Sequence, residues 1–394
     1  MGHAIIVGGG IGGLCAAIGL HRAGWTVQVL ERAPQLRPVG AGLGLWPNAQ
    51  RALATLGLGA EVAAVAGRQR TGGVRDRRGR WLVRWDGEHL EQRMGGPLLA
   101  IARHQLHELL RAALPPGCLR TGVEVRGADP DGRVDADADL PRADLVVAAD
   151  GIRSAVGRRL APAHPGPVYS GTTAWLGICP PVPGAAPATT WGPGREAGIV
   201  PLVDGRTYWF AGERAPAGVR HADDKAHLRR RFGDWHDPIP QLIEDTPAAA
   251  LLHLDLYHLA TPRDTYVHGR VALLGDAAHA TVPHLAQGAC QAIEDAATLA
   301  WAVARYPDVP AALAAYDALR RPRSQAVARA SQRAGRLTFQ MRHPVAAALR
   351  DLAVRLTPAA VGVRGMVALT DWSLPDGTGS RDSTPPPSPA VSDR

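Results

Sequence analysis

Short apolar runs alternate with glycine-rich turns at the start of the chain. Ala4 to Val7 is apolar throughout, which is long enough for a buried strand, and glycines follow it at once. Ile11 to Ala23 has the apolar spacing of a helix, and Gly24 supplies a left-handed stop. Trp25 to Leu30 predicts a second strand, which ends at the acidic residue Glu31. The pattern therefore predicts a strand, a glycine turn, a helix and a second strand.

Two later apolar runs each end at an aspartate. Residues 144–149 predict a buried strand that delivers Asp150 into a turn, and residues 270–274 predict another that is followed by Asp276. In open parallel sheets, ligands lie beyond the carboxyl ends of the strands. We therefore expect both aspartates on the ligand side. An alanine-rich helix follows, from Gly288 through residue 303.

The middle of the chain has a different pattern, with short strand-like runs separated by Pro and Gly. These runs are Tyr169–Leu176, Thr189–Trp191, Gly198–Val203 and Thr207–Phe210. They predict an antiparallel-rich sheet. Because side chains alternate along a strand, Trp209 is expected to point away from the face that carries Tyr208 and Phe210.

The net charge of +8 changes this picture little. Lys225 is the only lysine, so 43 of the 44 basic residues are arginines, and they are scattered along the sequence. The clusters at 229–231 and at Arg320, Arg321 and Arg323 are expected on solvated helix faces, so no nucleic-acid partner is predicted. No apolar stretch is long enough to span a bilayer.

The cysteines and histidines suggest no metal site. Cys15, Cys118, Cys179 and Cys290 form no CxxC pair, and the histidines lack ligand spacing. Four unpaired cysteines and no export signal predict a cytoplasmic protein.

The first turn has the spacing of a dinucleotide fingerprint. Gly8 permits the tight turn, Gly10 lets a pyrophosphate approach the backbone, and Gly13 lets the helix lie close to the strand. Glu31, followed by Arg32, is placed to bind the adenosine ribose. A glycine-rich turn without a ligand and a signal peptide are the alternatives; the acidic strand end argues against the signal peptide.

The fingerprint alone does not distinguish NAD from FAD. Carboxylates at Asp150 and Asp276 suit the hydroxyls of a ribityl chain, which NAD lacks. The helix that opens at Gly288 and Ala289 would direct free N–H groups at a flavin and stabilise negative charge on it. Together these features predict FAD.

With these motifs the chain resembles the class A flavoprotein monooxygenases, which have a p-hydroxybenzoate hydroxylase-like fold, and within them the salicylate hydroxylase-like branch. The resemblance covers roughly residues 1–340. Residues 40–43, including Gly42, resemble the segment that passes under the flavin. Arg103 is similar to the arginine that holds FAD, and Val125 lies where that family's backbone contacts adenine. A departure is Ala286, which stands where the family's Gly-Gln-Gly begins.

The resemblance implies a function. It predicts an FAD-dependent monooxygenase that uses NADPH or NADH and O2 to hydroxylate or epoxidise a small aromatic or apolar substrate through a flavin C4a-hydroperoxide. Pro283 and His284 are expected near flavin or substrate, with His284 a candidate proton acceptor. The expected substrate contacts are Trp46, Trp175, Trp191 and Trp209. A reductase that saturates a substrate double bond and a non-catalytic flavoprotein are the alternatives.

The expected fold class is α/β, with an FAD-binding Rossmann-like domain, an interleaved substrate domain on a mixed, antiparallel-rich sheet, and C-terminal helices. The FAD domain is assigned to residues 1–67, 98–163 and 264–345, and the substrate domain to 68–97 and 164–263. Residues 346–374 predict helices that pack on the body or form a dimer contact, and the protein is expected to be a monomer or homodimer. Residues 375–394 predict a disordered tail.

Overall fold

Strands and helices alternate along the chain in the computed structural model, which describes residues 2–35 and 41–375. The strands are β1 (His3–Val7), β2 (Thr26–Glu31), β3 (Gly42–Leu45), β4 (Gly67–Arg68), β5 (Thr71–Asp76), β6 (Trp81–Asp86), β7 (Leu99–Ala102), β8 (Leu119–Thr121), β9 (Val125–Ala128), β10 (Val134–Ala136), β11 (Leu145–Ala148), β12 (Val168–Cys179), β13 (Ala188–Gly192), β14 (Arg195–Pro201), β15 (Thr207–Arg214), β16 (Leu252–His258), β17 (Val267–His268) and β18 (Val271–Leu273).

The helices follow the same order. They are α1 (Ile11–Arg22), α2 (Pro47–Thr55), α3 (Gly59–Val65), α4 (Gly87–Met94), α5 (Arg103–Ala112), α6 (Ala155–Leu160), α7 (Asp224–Phe232), α8 (Ile239–Asp245), α9 (Asp276–His279), α10 (Gly288–Arg305), α11 (Val309–Phe339), α12 (Pro344–Leu356) and α13 (Ala359–Thr370). Short 3₁₀ helices lie at Ala248–Ala250 and Pro283–Leu285.

A six-stranded sheet forms the first layer. Its order is β17-β18-β11-β1-β2-β8, and every pair except β17–β18 is parallel. The whole of β11 is buried and apolar, as expected for a strand covered on both faces. The carboxyl ends of β1, β11 and β18 meet at one edge. Gly8, Asp150 and Asp276 therefore follow strands that end side by side, as the sequence predicted.

The glycine turn between β1 and α1 has no room for side chains at two positions. A Cβ on Gly13 would lie 2.0 Å from the carbonyl oxygen of Gly8. Gly8 itself has φ +106°, and a Cβ there would lie 2.4 Å from the carbonyl oxygen of Ala149. Glycine at both positions is therefore a steric requirement of the close packing between α1, β1 and β11.

A seven-stranded sheet forms the second layer, in the order β16-β12-β15-β14-β13-β5-β6. Its pairs are antiparallel except for β13 with β5. The four strand-like runs of the middle region overlap β12, β13, β14 and β15, and the run at Gly198–Val203 extends past the end of β14. The predicted α/β fold class is confirmed. The domain boundaries stay predictions, and residues 376–394 of the predicted tail lie outside the described residues.

The two faces of the seven-stranded sheet have different partners. One face, here called the helix-covered face, packs Trp175, Ile199 and Trp209 against α7 and α8. The other face, here called the inner face, carries the alternate residues along each strand. On it Glu196 lies opposite Gly212, and Gly198 lies opposite Phe210. A Cβ on Gly198 would lie 2.1 Å from the Phe210 ring, so that ring lies flat across the inner face.

The substrate contacts expected of Trp175 and Trp209 are therefore wrong. Both side chains are buried on the helix-covered face, where the indole N–H of Trp209 donates to Thr246 Oγ1 at 2.7 Å and that of Trp175 donates to Asp224 Oδ1 at 3.0 Å. Helices α7 and α8 bring apolar residues such as Phe232 against them. The opposite orientation of Trp209 and Tyr208 was correctly predicted from strand alternation.

The predicted C-terminal helices are observed as α12 and α13. They pack against β6 and α4, where Val363 is buried with Leu90 and Met94. Within the described ranges no single helix is long and apolar enough to cross a membrane. The pair Pro344–Leu356 and Ala359–Thr370 meets that criterion only when taken together, and it is bent by 88°.

The assignment of the two sheet faces predicts the effect of Trp209→Ala. The substitution removes a fully buried side chain, so the free energy of unfolding should fall by about 3–5 kcal/mol, while Trp209→Phe should lose less. Urea unfolding followed by circular dichroism measures both. A Trp209→Ala protein of unchanged stability that instead lost substrate binding would reverse the assignment of the faces.

Candidate active site

The amino end of α1 faces open space. Gly10 precedes the helix in an extended conformation, and a Cβ built on it would meet no atom within 4 Å. The amides of a helix's first turn have no carbonyl partner within the helix, and they carry the positive end of its dipole. This open, electropositive turn fits a pyrophosphate.

Glu31 holds the glycine turn in place from the end of β2. Its Oε2 accepts the N–H of Gly9 at 2.8 Å and its Oε1 accepts the N–H of Ala33 at 2.8 Å. Each carboxylate oxygen has a second lone pair, so the group can also accept from ribose hydroxyls. Arg32 is exposed beside it.

Val125 stays a predicted contact of adenine. It begins β9 in a separate two-stranded sheet, whereas the neighbouring strand of the main sheet ends earlier, at Thr121. Between them, the N–H of Val123 donates to the carbonyl oxygen of Glu31 at 3.0 Å, which ties this segment to the end of β2.

Asp150 presents one satisfied and one unsatisfied carboxylate oxygen. Oδ2 accepts the N–H groups of Ala155 at 2.7 Å and Val156 at 3.3 Å, whereas Oδ1 is buried without a hydrogen-bond partner. Burial raises the pKa of this carboxyl, and a hydrogen bond from Ser154 opposes the increase. A buried acceptor without a donor is costly, so Oδ1 fits a ligand hydroxyl.

Asp276 opens α9 with its side chain exposed to solvent. The protein around it is nevertheless dense enough to raise its pKa by desolvation, while His279 and Arg103 oppose that increase. The Asp276 carboxylate is therefore reached by solvent yet surrounded by protein, as expected for a side chain in a deep cleft. Burial raises the pKa of Tyr208, and Arg103, which begins α5, opposes that increase as well. The cleft is therefore bounded by the inner face of the seven-stranded sheet.

Gly42 lies at this same boundary. A Cβ on Gly42 would lie 2.4 Å from the Tyr208 ring, so the strand that carries it passes directly under that ring. Gly40, the first residue of the same sequence motif, lies outside the described residues.

The amino end of α10 closes the cleft. Gly288 begins the helix, and a Cβ on it would meet nothing within 4 Å, so its first-turn amides, including that of Ala289, face open space. The preceding Ala286 has φ +50°, a left-handed conformation that costs an alanine roughly 1 kcal/mol. The indole N–H of Trp46, close to Gly44, is buried without an acceptor.

Behind α10 lies a buried ionic network centred on Arg320. Its guanidinium donates to Asp295 Oδ1 at 2.6 Å and to Gln291 Oε1 at 2.8 Å, and it also pairs with Glu294. Glu294 accepts from Arg323 at 2.7 Å and from Asn48 at 2.6 Å. The solvated helix face expected for this arginine cluster is thus wrong for Arg320, because it pairs with carboxylates on α10 that are themselves fully buried.

The same network reaches the turn that carries Asp276. Asp295 Oδ2 accepts the backbone N–H of Gly275 at 2.9 Å and lies 2.6 Å from His279 Nε2. His279 is itself buried within this network. The opposite charges and hydrogen bonds around Asp295 lower its pKa to about 2 despite its burial.

His284 lies on the far side of the cleft. Its ring packs against α11 beside Gly335, with its centroid 5.2 Å from that of Phe339. Its Nδ1 has no hydrogen-bond partner and lies 3.4 Å from Glu196 Oε1 on the inner face. Pro283 is exposed next to it. Sequence reasoning missed Glu196, because nothing local distinguishes that strand residue from other acids.

Trp191 lies farther from the cleft than the sequence suggested. It stands opposite Glu196 on the inner face, two side-chain rows from Tyr208. Its ring faces α12, where the guanidinium of Arg350 lies 5.1 Å from the ring centroid. The strand register, which sequence alone leaves open, determines this distance.

One group of side chains among the described residues meets the distance criteria for a metal ion, whereas the sequence predicted none. Glu213, His221 and His227 place ligand atoms within 4.8 Å of one another on the helix-covered face. The two imidazoles are stacked at 3.7 Å with a 10° interplanar angle, so their in-plane lone pairs do not converge. Glu213 already contacts His227 at 2.7 Å and Arg231 at 2.6 Å.

The cleft residues together fit FAD: a glycine turn for the pyrophosphate, an unpaired carboxylate oxygen, a cleft carboxylate and a helix amino end. A family model described as an FAD binding domain matches residues 2–331. The chain belongs to this family. It is a class A flavoprotein monooxygenase, as the motifs predicted.

Known members of this FAD-binding family match over most of their length. The chain is 41% identical over 342 residues to the aurachin C monooxygenase/isomerase of Stigmatella aurantiaca, covering 84% of this chain and 88% of that protein. It is 35% identical over 335 residues to the 2-heptyl-3-hydroxy-4(1H)-quinolone synthase of Mycobacteroides abscessus, covering 82% and 86%. The structure of Klebsiella pneumoniae HpxO complexed with FAD and uric acid matches with a TM-score of 0.86 and 28% identity, covering 93% and 96%.

Asp276→Ala tests the cleft carboxylate. Loss of a charged hydrogen-bond acceptor should weaken FAD binding roughly tenfold to a hundredfold. The measurement is fluorescence titration of the apoprotein with FAD. Asp204→Ala, which removes an acid from the exposed β14–β15 turn, is the control and should bind FAD normally. An Asp276→Ala protein with wild-type affinity would remove Asp276 from the cofactor site.

The low pKa of Asp295 predicts how the free energy of unfolding depends on pH. Its pKa is about 2 in the folded protein against an ordinary 3.8, so between these values the unfolded chain binds a proton that the folded chain does not. The free energy of unfolding should therefore fall as the pH drops from about 4 towards 2, and remain insensitive to this group above about pH 5.

Asp295→Asn is the matched variant for this prediction. It leaves Arg320 without one partner, which should cost about 3–5 kcal/mol at neutral pH, and it should flatten the acid dependence. Urea unfolding across a pH series measures both. An equal slope in the two proteins would show that other carboxyls control acid unfolding.

Proposed function

We propose that the protein is an NAD(P)H- and O2-dependent monooxygenase that hydroxylates or epoxidises a small aromatic or apolar substrate through a flavin C4a-hydroperoxide. When bound, FAD would supply the oxygen-transfer chemistry. Gly8, Gly10 and Gly13 would hold the pyrophosphate, Glu31 and Arg32 the adenosine end, and Asp150 and Asp276 the ribityl hydroxyls. The observation that carries the proposal is the unpartnered Asp150 Oδ1 in a family fold whose known members are monooxygenases.

The inner face supports an aromatic substrate. Tyr208 and Phe210 lie on it beside the cofactor cleft, and Phe339 covers Gly212, where a Cβ would lie 2.9 Å from its ring. These rings form an apolar wall suited to a planar molecule. The relatives' names mention a quinolone and uric acid, which are flat heterocycles, and we extend that substrate class to this chain.

His284 and Glu196 support a polar contact in this apolar site. The Nδ1 of His284 lies 3.4 Å from Glu196 Oε1, so the carboxylate is placed to orient the imidazole ring. A substrate ring that gives up a proton becomes more electron-rich at its carbon atoms. His284 is thus the proposed proton acceptor, with Glu196 its positioning residue and Trp46 a donor from the opposite side.

An isotope experiment tests the reaction class. The holoenzyme is mixed with NADH or NADPH, ¹⁸O2 and either uric acid or 2-heptyl-4(1H)-quinolone as probes. We expect a probe to stimulate nicotinamide oxidation and one ¹⁸O atom to appear in the product by mass spectrometry. Nicotinamide oxidation that yields a probe with a saturated double bond and no label would establish the reductase alternative instead.

A further inference from the structure

Helix α12 carries an exposed row of aliphatic side chains. Val345, Leu349, Leu352 and Leu356 are 60%, 62%, 51% and 74% exposed. Their spacing of four, three and four residues places them on one side of a helix. Residues on the other side, Ala347 and Arg350, are buried against the body. We call the four exposed residues the apolar stripe.

Such a stripe is unusual on a protein surface. Exposed aliphatic residues are ordinary when scattered, but a contiguous row marks an interaction surface. Leu337, at the end of α11, and Val361, at the start of α13, are also about half exposed, at 50% and 52%. Large exposed aliphatic side chains are therefore concentrated at the C-terminal helices.

The charged residues of the chain segment that carries the stripe are almost all positive. Between residues 318 and 370 the only acid is Asp351, which pairs with the buried Arg350 at 2.7 Å. The exposed arginines of the same segment are Arg329, Arg333, Arg336, Arg342, Arg355 and Arg364. An apolar row within a basic surface has the character of an interfacial amphipathic helix.

A basic cleft adjoins the same helix. It has a volume of about 670 Å³, and α12 contributes Pro344, Ala347 and Ala348 to its wall. Its arginines come from several segments: Arg77, Arg78, Arg80, Arg195, Arg214, Arg231 and Arg342.

Carboxylates pair with several of these arginines but not with all of them. Asp76 bonds to Arg80, Asp234 to Arg77 and Glu213 to Arg231, while Arg195 Nε is buried without a partner. Burial lowers the pKa of Arg195, and the nearby Arg231 lowers it further, while Asp234 and Glu213 oppose the decrease. The cleft is suited to anionic phosphate groups.

We propose that α12 docks the protein on the surface of an anionic lipid bilayer, with the apolar stripe in the acyl–headgroup boundary and the exposed arginines of the same C-terminal segment on headgroup phosphates. The stripe and these arginines require one partner that is apolar and anionic together. This surface contact is distinct from spanning the bilayer, and it is independent of the proposed reaction.

Two other occupants fit less well. A second copy of the chain, packed by a twofold axis through the stripe, would bring its exposed arginines close to those of its partner. The chain's own residues 376–394 are rich in Pro, Ser and Asp, with only Ala390 and Val391 as aliphatic residues. Neither supplies both an apolar layer and negative charge.

Vesicle flotation of the full-length holoenzyme tests the proposal. The protein should float with equimolar phosphatidylcholine–phosphatidylglycerol vesicles but not with phosphatidylcholine alone, and added salt should weaken binding. Arg355→Gln should reduce partitioning about fivefold, and Leu352→Glu at least tenfold. Arg111→Gln on α5 and Val203→Glu in the β14–β15 turn are matched controls and should float like wild type.

Flavin content and activity without vesicles should be unchanged in all four variants, which shows that they fold. A chain truncated after residue 375 should float at least as well as the full chain. Equal flotation of Leu352→Glu and wild type would overturn the proposal. So would a wild-type dimer in sedimentation that Leu352→Glu converts to a monomer while flotation is absent, because the stripe would then be covered by a second copy.

Discussion

A single buried guanidinium holds together the end of the cleft that is formed by Asp276, α2 and α10. Arg320 reaches from α11 to Glu294 and Asp295 on α10. Asp295 in turn holds the backbone of Gly275, the residue before Asp276, and Glu294 holds Asn48, which follows Trp46. Buried charges are costly unless every partner is in place, so this network favours one arrangement of four distant chain segments.

Local requirements made part of this site predictable from sequence. Gly8 and Gly13 lie where a Cβ would overlap neighbouring backbone, and such positions leave a glycine signature. Asp150 and Asp276 follow recognisable buried strands, and strand ends converge at one edge of a parallel sheet. In each case the physical cause lies within a few residues of the motif.

Long-range pairing explains what the sequence did not predict. In the sequence Arg320 cannot be told from any other helical arginine, because its buried carboxylate partners lie on a different helix, α10. The alternation of side chains along β15 correctly predicted that Trp209 and Tyr208 lie on opposite faces of the sheet. It did not determine which of the two faces α7 and α8 cover. The strand that begins at Val125 belongs to a separate two-stranded sheet, a pairing that the sequence pattern alone does not determine.

The alternating register of β15 has a consequence for how such enzymes diverge. Tyr208 and Phe210 lie on the inner face, while Trp209 and Ala211, between and beside them, fill the helix-covered core. Substitutions at the inner-face positions of β15 can therefore change the shape of the pocket without disturbing the packing of the helix-covered core. Substitutions on one side of a single strand can change the pocket while the other side keeps the core packed.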